Sequence, residues 1–223
     1  MTSKFHHTPS KPGNTACDKA YTILTNAHAV ASSFYHSYTQ LRAGKSRGTT
    51  TDEEQDLLRA MLVFASAGLD SLVKQLVRDA LRPVIERSEG ADAQFRLFVQ
   101  TKIKRGDGLS DRLIADVLVS RKPRDSLLDV LINDITSESL QSAEQIFRVA
   151  AAFDIATSVI CPDIKAFKDV FKVRNQIIHE MDVAFDQSNR TRRPRKHADM
   201  VSFTNTLFDV SARFLSAADQ KLA

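Results

Sequence analysis

The stretch "DEEQDLLRAMLVFASAGLDSLVKQLVRDALR", residues 52–82, decides the fold. Its apolar side chains recur at steps of three and four: Leu58, Met61, Leu62, Ala65, Leu69, Leu72, Val73 and Leu76. That spacing draws a broad apolar stripe down one side of a helix. Thr51 or Asp52 stands where an N-cap belongs, and Asp52, Glu53 and Glu54 suit the positive end of the helix dipole. The pattern holds to Arg82, where Pro83 is expected to kink or end it. So long an apolar stripe needs other helices to cover it.

Working outward, the same periodicity runs from Cys17 to Leu41 through Tyr21, Leu24, His28, Ala31, Tyr35 and Tyr38, and "RAGKSRGTTT" (42–51) ends it. Residues 91–160 are choppier. "DAQFRLFVQTKIK" (92–104) reads as a short helix ended by "RGDG". "SDRLIADVLVS" (110–120) follows with Ser110 or Asp111 as cap, then "PRDSLLDVLINDI" (123–135). "SESLQSAEQIFRVAAAFDI" (137–155) reads as a helix over Leu140, Ala143, Ile146, Phe147, Ala150 and Phe153. Pro162 and Asp163 open another helix that should reach about Met181. After the polar loop "DQSNRTRRPRK" (186–196) comes a last helix, His197 to Ala218, whose apolar face is Met200, Phe203, Leu207, Val210, Phe214 and Leu215. The chain therefore reads as all-α: a helical bundle of four long helices with an inserted block of shorter helices at about 91–160, all in one domain, 16–223. Residues 1–15, with Pro9, Pro12 and Gly13, read as a mobile tail, and His6 and His7 within it as a chance pair rather than a metal site.

Composition agrees. Seven glycines and six prolines in 223 residues are few for a chain rich in strands and tight turns. A net charge of +4 and a pI near 9.1 favour an anionic partner. Cys17 and Cys161 lie too far apart for a metal motif or a disulfide framework, so a reducing compartment is expected. The N-terminal residues lack the apolar core of a secretory signal, and no apolar run approaches the length that spans a bilayer. These readings give a cytoplasmic protein with no membrane partner.

Chemistry concentrates in "FKVRNQIIHEM", residues 171–181. Ile164, Phe167, Phe171 and Ile178, flanked by Val170 and Ile177, form the stripe expected to face the core. Asn175 and His179 are one turn apart and share a face, whereas Arg174 and His179 lie about 140° apart around the helix. The three residue types suit phosphodiester cleavage in RNA. Histidine exchanges a proton near neutral pH with the 2′-hydroxyl or the leaving 5′-oxygen. Arginine matches phosphate oxygens and stabilises developing charge, and asparagine hydrogen-bonds the phosphate or a neighbouring side chain. The set requires neither metal nor cofactor. Taken singly, Arg174 also reads as a surface arginine and His179 as a histidine favoured by the helix C-terminus.

"RNQIIH", Arg174 to His179, resembles the Arg-Asn-x-x-x-His signature of the HEPN superfamily of helical ribonucleases. The resemblance implies a helical bundle with the motif just before the final helix, and a homodimer that brings two motifs into one cleft. It implies metal-independent endoribonuclease activity leaving 2′,3′-cyclic phosphate and 5′-hydroxyl ends. It also implies a role as a toxin or anti-phage defence effector, with an antitoxin or defence-system partner. Arg174 and His179 would be catalytic, with Asn175 supporting. One branch of the family carries a tyrosine two places after the histidine; Met181 stands there, so that branch's regulation is not expected. The alternatives are a catalytically inactive HEPN-like module that binds RNA or a nucleotide, and a helical interaction protein.

Asp70 lies on a line with Val63, Ser66, Val73 and Val77, where it would either orient Arg174 or His179 or pair with Lys74 one turn on. Arg190, Arg192, Arg193, Arg195 and Lys196 form a run without acids that would track RNA phosphates or remain a solvated loop. Lys102, Lys104 and Arg105 read as a solvated face, and His28 and His36 as packing or surface residues.

Overall fold

The computed structural model describes residues 5, 10–45, 50–105, 111–186, 188 and 191–223. Arg190, His6, His7 and Ser110 lie outside the described residues. Within them the chain is all-α and contains no strand. A 3-10 turn at Thr15–Cys17 leads into α1 (Asp18–Arg42), α2 (Asp52–Arg87), α3 (Glu89–Arg105), α4 (Asp111–Val119), α5 (Pro123–Thr136), α6 (Ala143–Ala152), α7 (Thr157–Ile160), α8 (Ile164–Glu180) and α9 (His197–Leu222).

The 36-residue α2 is the axis of the molecule. Its start is a full capping box: the Thr51 hydroxyl accepts from the Glu54 amide, and the Glu54 carboxylate accepts from the Thr51 amide. The same carboxylate is buried and meets Lys45 at 2.7 Å and Arg42 at 3.3 Å, which ties the end of α1 to the start of α2. Contrary to expectation, Pro83 does not end α2, which continues to Arg87. Proline removes one intrahelical hydrogen bond, but here packing of Leu81, Val84 and Ile85 into the core holds the last turn.

α1, α9 and α8 pack directly on α2, and α3, α5 and α6 pack on it too. The block at 91–160 is therefore part of the same core: Phe95, Leu128, Leu131, Ile135 and Ile146 join the cluster formed by Leu58 to Ile85. Its α3, at 17 residues, is as long as α8, so helix length does not set it apart from the bundle helices. Ser142 caps α6 through a second box with Gln145, so this helix starts at Ala143, later than its apolar spacing suggests. Phe5, Gly13 and Asn14 of the N-terminal segment meet the helices. Phe5 is buried edge-on against Tyr35 and Phe208, and the Asp219 carboxylate accepts from the amides of Gly13 and Asn14. His28 packs in this same ring cluster, 5.1 Å from Phe208.

One expectation about α2 is corrected. Asp52–Arg87 contains an 18-residue window of mean hydropathy 1.4, long and apolar enough to cross a membrane by length and composition. Scattered charges interrupt its apolar runs without lowering that average enough to exclude it. Half of the window is buried inside the protein, as the stripe of a core helix requires.

Candidate active site on α8

Asp163 starts α8 by accepting from the Ala166 amide, and Phe167, Val170 and Phe171 seat it in the core. Ile164 and Ile178, expected in that stripe, are 43% and 37% exposed. They stand near the two ends of α8, where its neighbours cover them only in part.

The motif residues occupy the second half of α8. Arg174 is half-buried, and its Nη1 donates to Asn175 Oδ1 at 2.9 Å. Its Nε is buried with no hydrogen-bond partner among the described residues. Burial pulls the guanidinium below its usual pKa, and the nearby Asp70 carboxylate opposes that shift. Asp70 pairs with Lys74, as one of its two sequence readings has it, and makes no hydrogen bond to Arg174 or His179 among the described residues. Its Oδ2 lies 3.2 Å from Lys74 Nζ, its charge acts on Arg174, and its Oδ1 also accepts from the Leu140 amide at 2.8 Å. The side chain thus ties the approach to α6 onto α2 beside the motif arginine. His179 is exposed in the last turn of α8, and no described residue hydrogen-bonds its ring.

α8 ends on Met181 in the left-handed conformation (φ 49°), followed by Asp182, also left-handed (φ 60°). The Asp182 amide donates to Gln176 O, closing the helix end. Asp182 is fully buried and holds two arginines: Arg59 Nε at 2.8 Å and Arg195 Nε at 2.9 Å, with Arg195 Nη2 on its other oxygen. Arg59 also donates to Gln55 Oε1 at 3.3 Å and to the Arg193 carbonyl at 2.9 Å, and Arg195 Nη2 reaches Gln176 Oε1 at 2.9 Å. These bonds join α2, the end of α8 and the entry to α9.

The basic run is consequently a folded return. Val183 and Arg192 form an antiparallel bridge, and the Arg193 amide donates to Asp182 O at 2.7 Å. Arg192 pairs with Asp56, Arg193 with Glu180 at 2.8 Å, and Arg195 with Asp182. Lys196, at the N-cap of α9, is exposed and makes no ion pair among the described residues. Three of the five cations read as a phosphate track therefore meet carboxylates within the fold.

Sequence reasoning missed Asp182 and Arg59. Arg59 lies on the same helical line as Val63, Ser66 and Asp70, so an arginine inside that line signals a buried acid opposite. Beside this clamp a groove of about 520 Å³ runs between Asp56, Arg59, Ile177, Met181, Val183 and Arg192. Met181 and Phe185 at its end of the molecule are 69% and 63% exposed. Among the described residues no three metal-ligating side chains converge. No protein-family model, curated protein or solved structure matches this chain.

Proposed function

We propose that this protein is a metal-independent endoribonuclease of the HEPN type, which cuts RNA to 2′,3′-cyclic phosphate and 5′-hydroxyl ends and acts as a toxin or defence effector. The observation that carries this reading is the state of Arg174. A guanidinium held partly out of water, with one N–H buried and unmet, has unused capacity for an anion. Asn175 fixes its orientation from one side, and Asp70 balances its charge from α2. His179 stands one turn beyond Asn175, exposed to an incoming substrate.

In this mechanism Arg174 binds a non-bridging phosphate oxygen and stabilises the charge that grows there. One histidine removes the 2′-hydroxyl proton as that oxygen attacks phosphorus, and the second gives a proton to the departing 5′-oxygen. Two histidines require two copies of α8, so the active species is a homodimer. Among the described cations of the basic run, Lys196 has no ion pair and is placed to meet the RNA backbone.

The test is cleavage of RNA by the purified protein in excess chelator. Cleavage should persist with chelator and fall by about 10²–10⁴-fold in His179→Ala, with helicity unchanged because the residue is exposed. A chelator-sensitive activity, or one that His179→Ala leaves intact, removes the proposal. A second reading, an inactive module that binds RNA, is favoured by the His179 ring having no hydrogen-bond partner among the described residues to orient it. Retarded but uncut RNA supports that reading.

A further inference from the structure

The block at 91–160 contains a cleft that the motif does not use. α3, α5 and α6 surround about 500 Å³, a volume suited to a small organic molecule. Leu97, Phe98, Leu131, Ile135, Ala151 and Ala152 supply its apolar walls. Three charged side chains also line it: Lys102, Asp134 and Arg148. Lys102 Nζ lies 2.5 Å from Asp134 Oδ1 and 5.4 Å from the Phe98 ring centre, so that cation is neutralised within the wall. Arg148 is exposed at the mouth of the cleft, with no ion pair or hydrogen bond among the described residues. Glu144, one turn earlier on α6, is held by Lys168 at 2.7 Å instead.

The cleft thus pairs apolar walls with one uncompensated guanidinium. A neutral apolar guest gains nothing from the solvated Arg148 at the mouth, and a polyphosphate meets one free cation with several charges. The chemistry that matches is an apolar body with a single negative charge. We propose that this cleft binds a small amphipathic monocarboxylate, its apolar body against Phe98 and Leu131 and its carboxylate on Arg148. The site is independent of the ribonuclease reading, since none of its residues lies on α8. α6 nevertheless touches both regions: Phe147, adjacent to Arg148, meets the Phe167 ring of α8 at 5.9 Å.

Calorimetric titration of the full chain with decanoate and with 1-naphthoate tests the site, using decanamide as the neutral counterpart. Saturable one-to-one binding of at least one carboxylate is expected, and which of the two binds tells an extended body from a flat one. Affinity should fall about tenfold or more in Arg148→Gln, and decanamide should bind more weakly than decanoate by a similar factor. Ala151→Trp, which fills the cleft from an exposed helix position, should abolish binding while circular dichroism stays unchanged. The proposal is overturned if neither carboxylate binds saturably. It is equally overturned if binding survives both substitutions, or if the amide binds as well as the acid.

Discussion

At the scale of single residues, two arginines show how differently the same side chain is used. Arg59 is almost wholly buried, and acceptors surround it: Asp182, Asp56, Gln55 and the Arg193 carbonyl. Arg174 is less buried, yet one of its donors is buried without an acceptor. The first pattern belongs to a strut; the second is the one on which the proposed binding role of Arg174 rests, because an unmet donor costs stability unless a ligand supplies its partner. Asp182 is the centre of the strut. Removing its charge leaves Arg59 and Arg195 facing each other without a carboxylate between them, and breaking a buried pair in this way costs about 3–5 kcal/mol. Asp182→Asn preserves size and the tolerance for a positive φ, so its effect isolates the charge. Urea unfolding should show a loss of that order; a change under about 1 kcal/mol would mean that the clamp is dispensable, as surface pairs are.

At the scale of helices, a close approach between α1 and α2 sets the clearest prediction. Gly68 of α2 faces Ala27 of α1, and a Cβ added to Gly68 would lie 2.3 Å from the Ala27 Cβ. Gly68→Ala gains about 1 kcal/mol of helix propensity, but overpacking of this kind costs about 1–3 kcal/mol, so a net loss is expected. Adding Ala27→Gly should recover part of it. A double mutant no more stable than Gly68→Ala would show that the contact is not the cause. Neither glycine nor alanine stands out in the periodic pattern that makes α1 and α2 legible, because spacing reports which face is buried and not how near the backbones come. The same limit explains Pro83: local rules predict a break there, and burial of Leu81, Val84 and Ile85 overrides them. The motif helix was legible to within a residue or two, since α8 runs Ile164–Glu180, with Asp163 as its N-cap rather than inside its first turn and Met181 at its stop. Its extent of burial was not, since Ile164 and Ile178 carry core chemistry in positions that its neighbours cover only in part. The folded return of the basic run was also hidden, because its partners Asp56, Glu180 and Asp182 are distributed along two other segments.

At the scale of the whole molecule, charge and shape each carry a prediction. Hydrogen bonds from Lys45, Arg192, Arg124, Lys168 and Lys221 hold Glu54, Asp56, Asp92, Glu144 and Asp154, respectively, below the usual carboxylate range. Each folded value lies under its unfolded one, so the stabilisation is complete above the ordinary carboxylate pKa of about 4 and is lost as pH falls through the depressed values. The urea midpoint should be level from about pH 7 to 5 and drop below about 4, less steeply in high salt because most of these pairs are exposed. A midpoint that stays level to pH 3 would show that the pairs contribute nothing. Shape bears on assembly. α1 and α8 both pack on α2 but make no extensive contact with each other, and apolar side chains stand exposed at the end of α8 and beyond it: Ile178, Met181 and Phe185. Arg174 and His179 are about 140° apart on one helix, so a single copy presents them to different regions of space. A second copy seated on this apolar end would cover Met181 and bring a second His179 near the first Arg174. Met181→Glu should therefore oppose dimerisation without altering either motif side chain. Sedimentation of the unaltered protein at micromolar concentration is expected to show a dimer, and the variant a monomer with RNA cleavage lost together with the assembly. A variant that dissociates yet cuts RNA at the original rate would place the whole reaction within one chain, and the composite cleft would have to be abandoned.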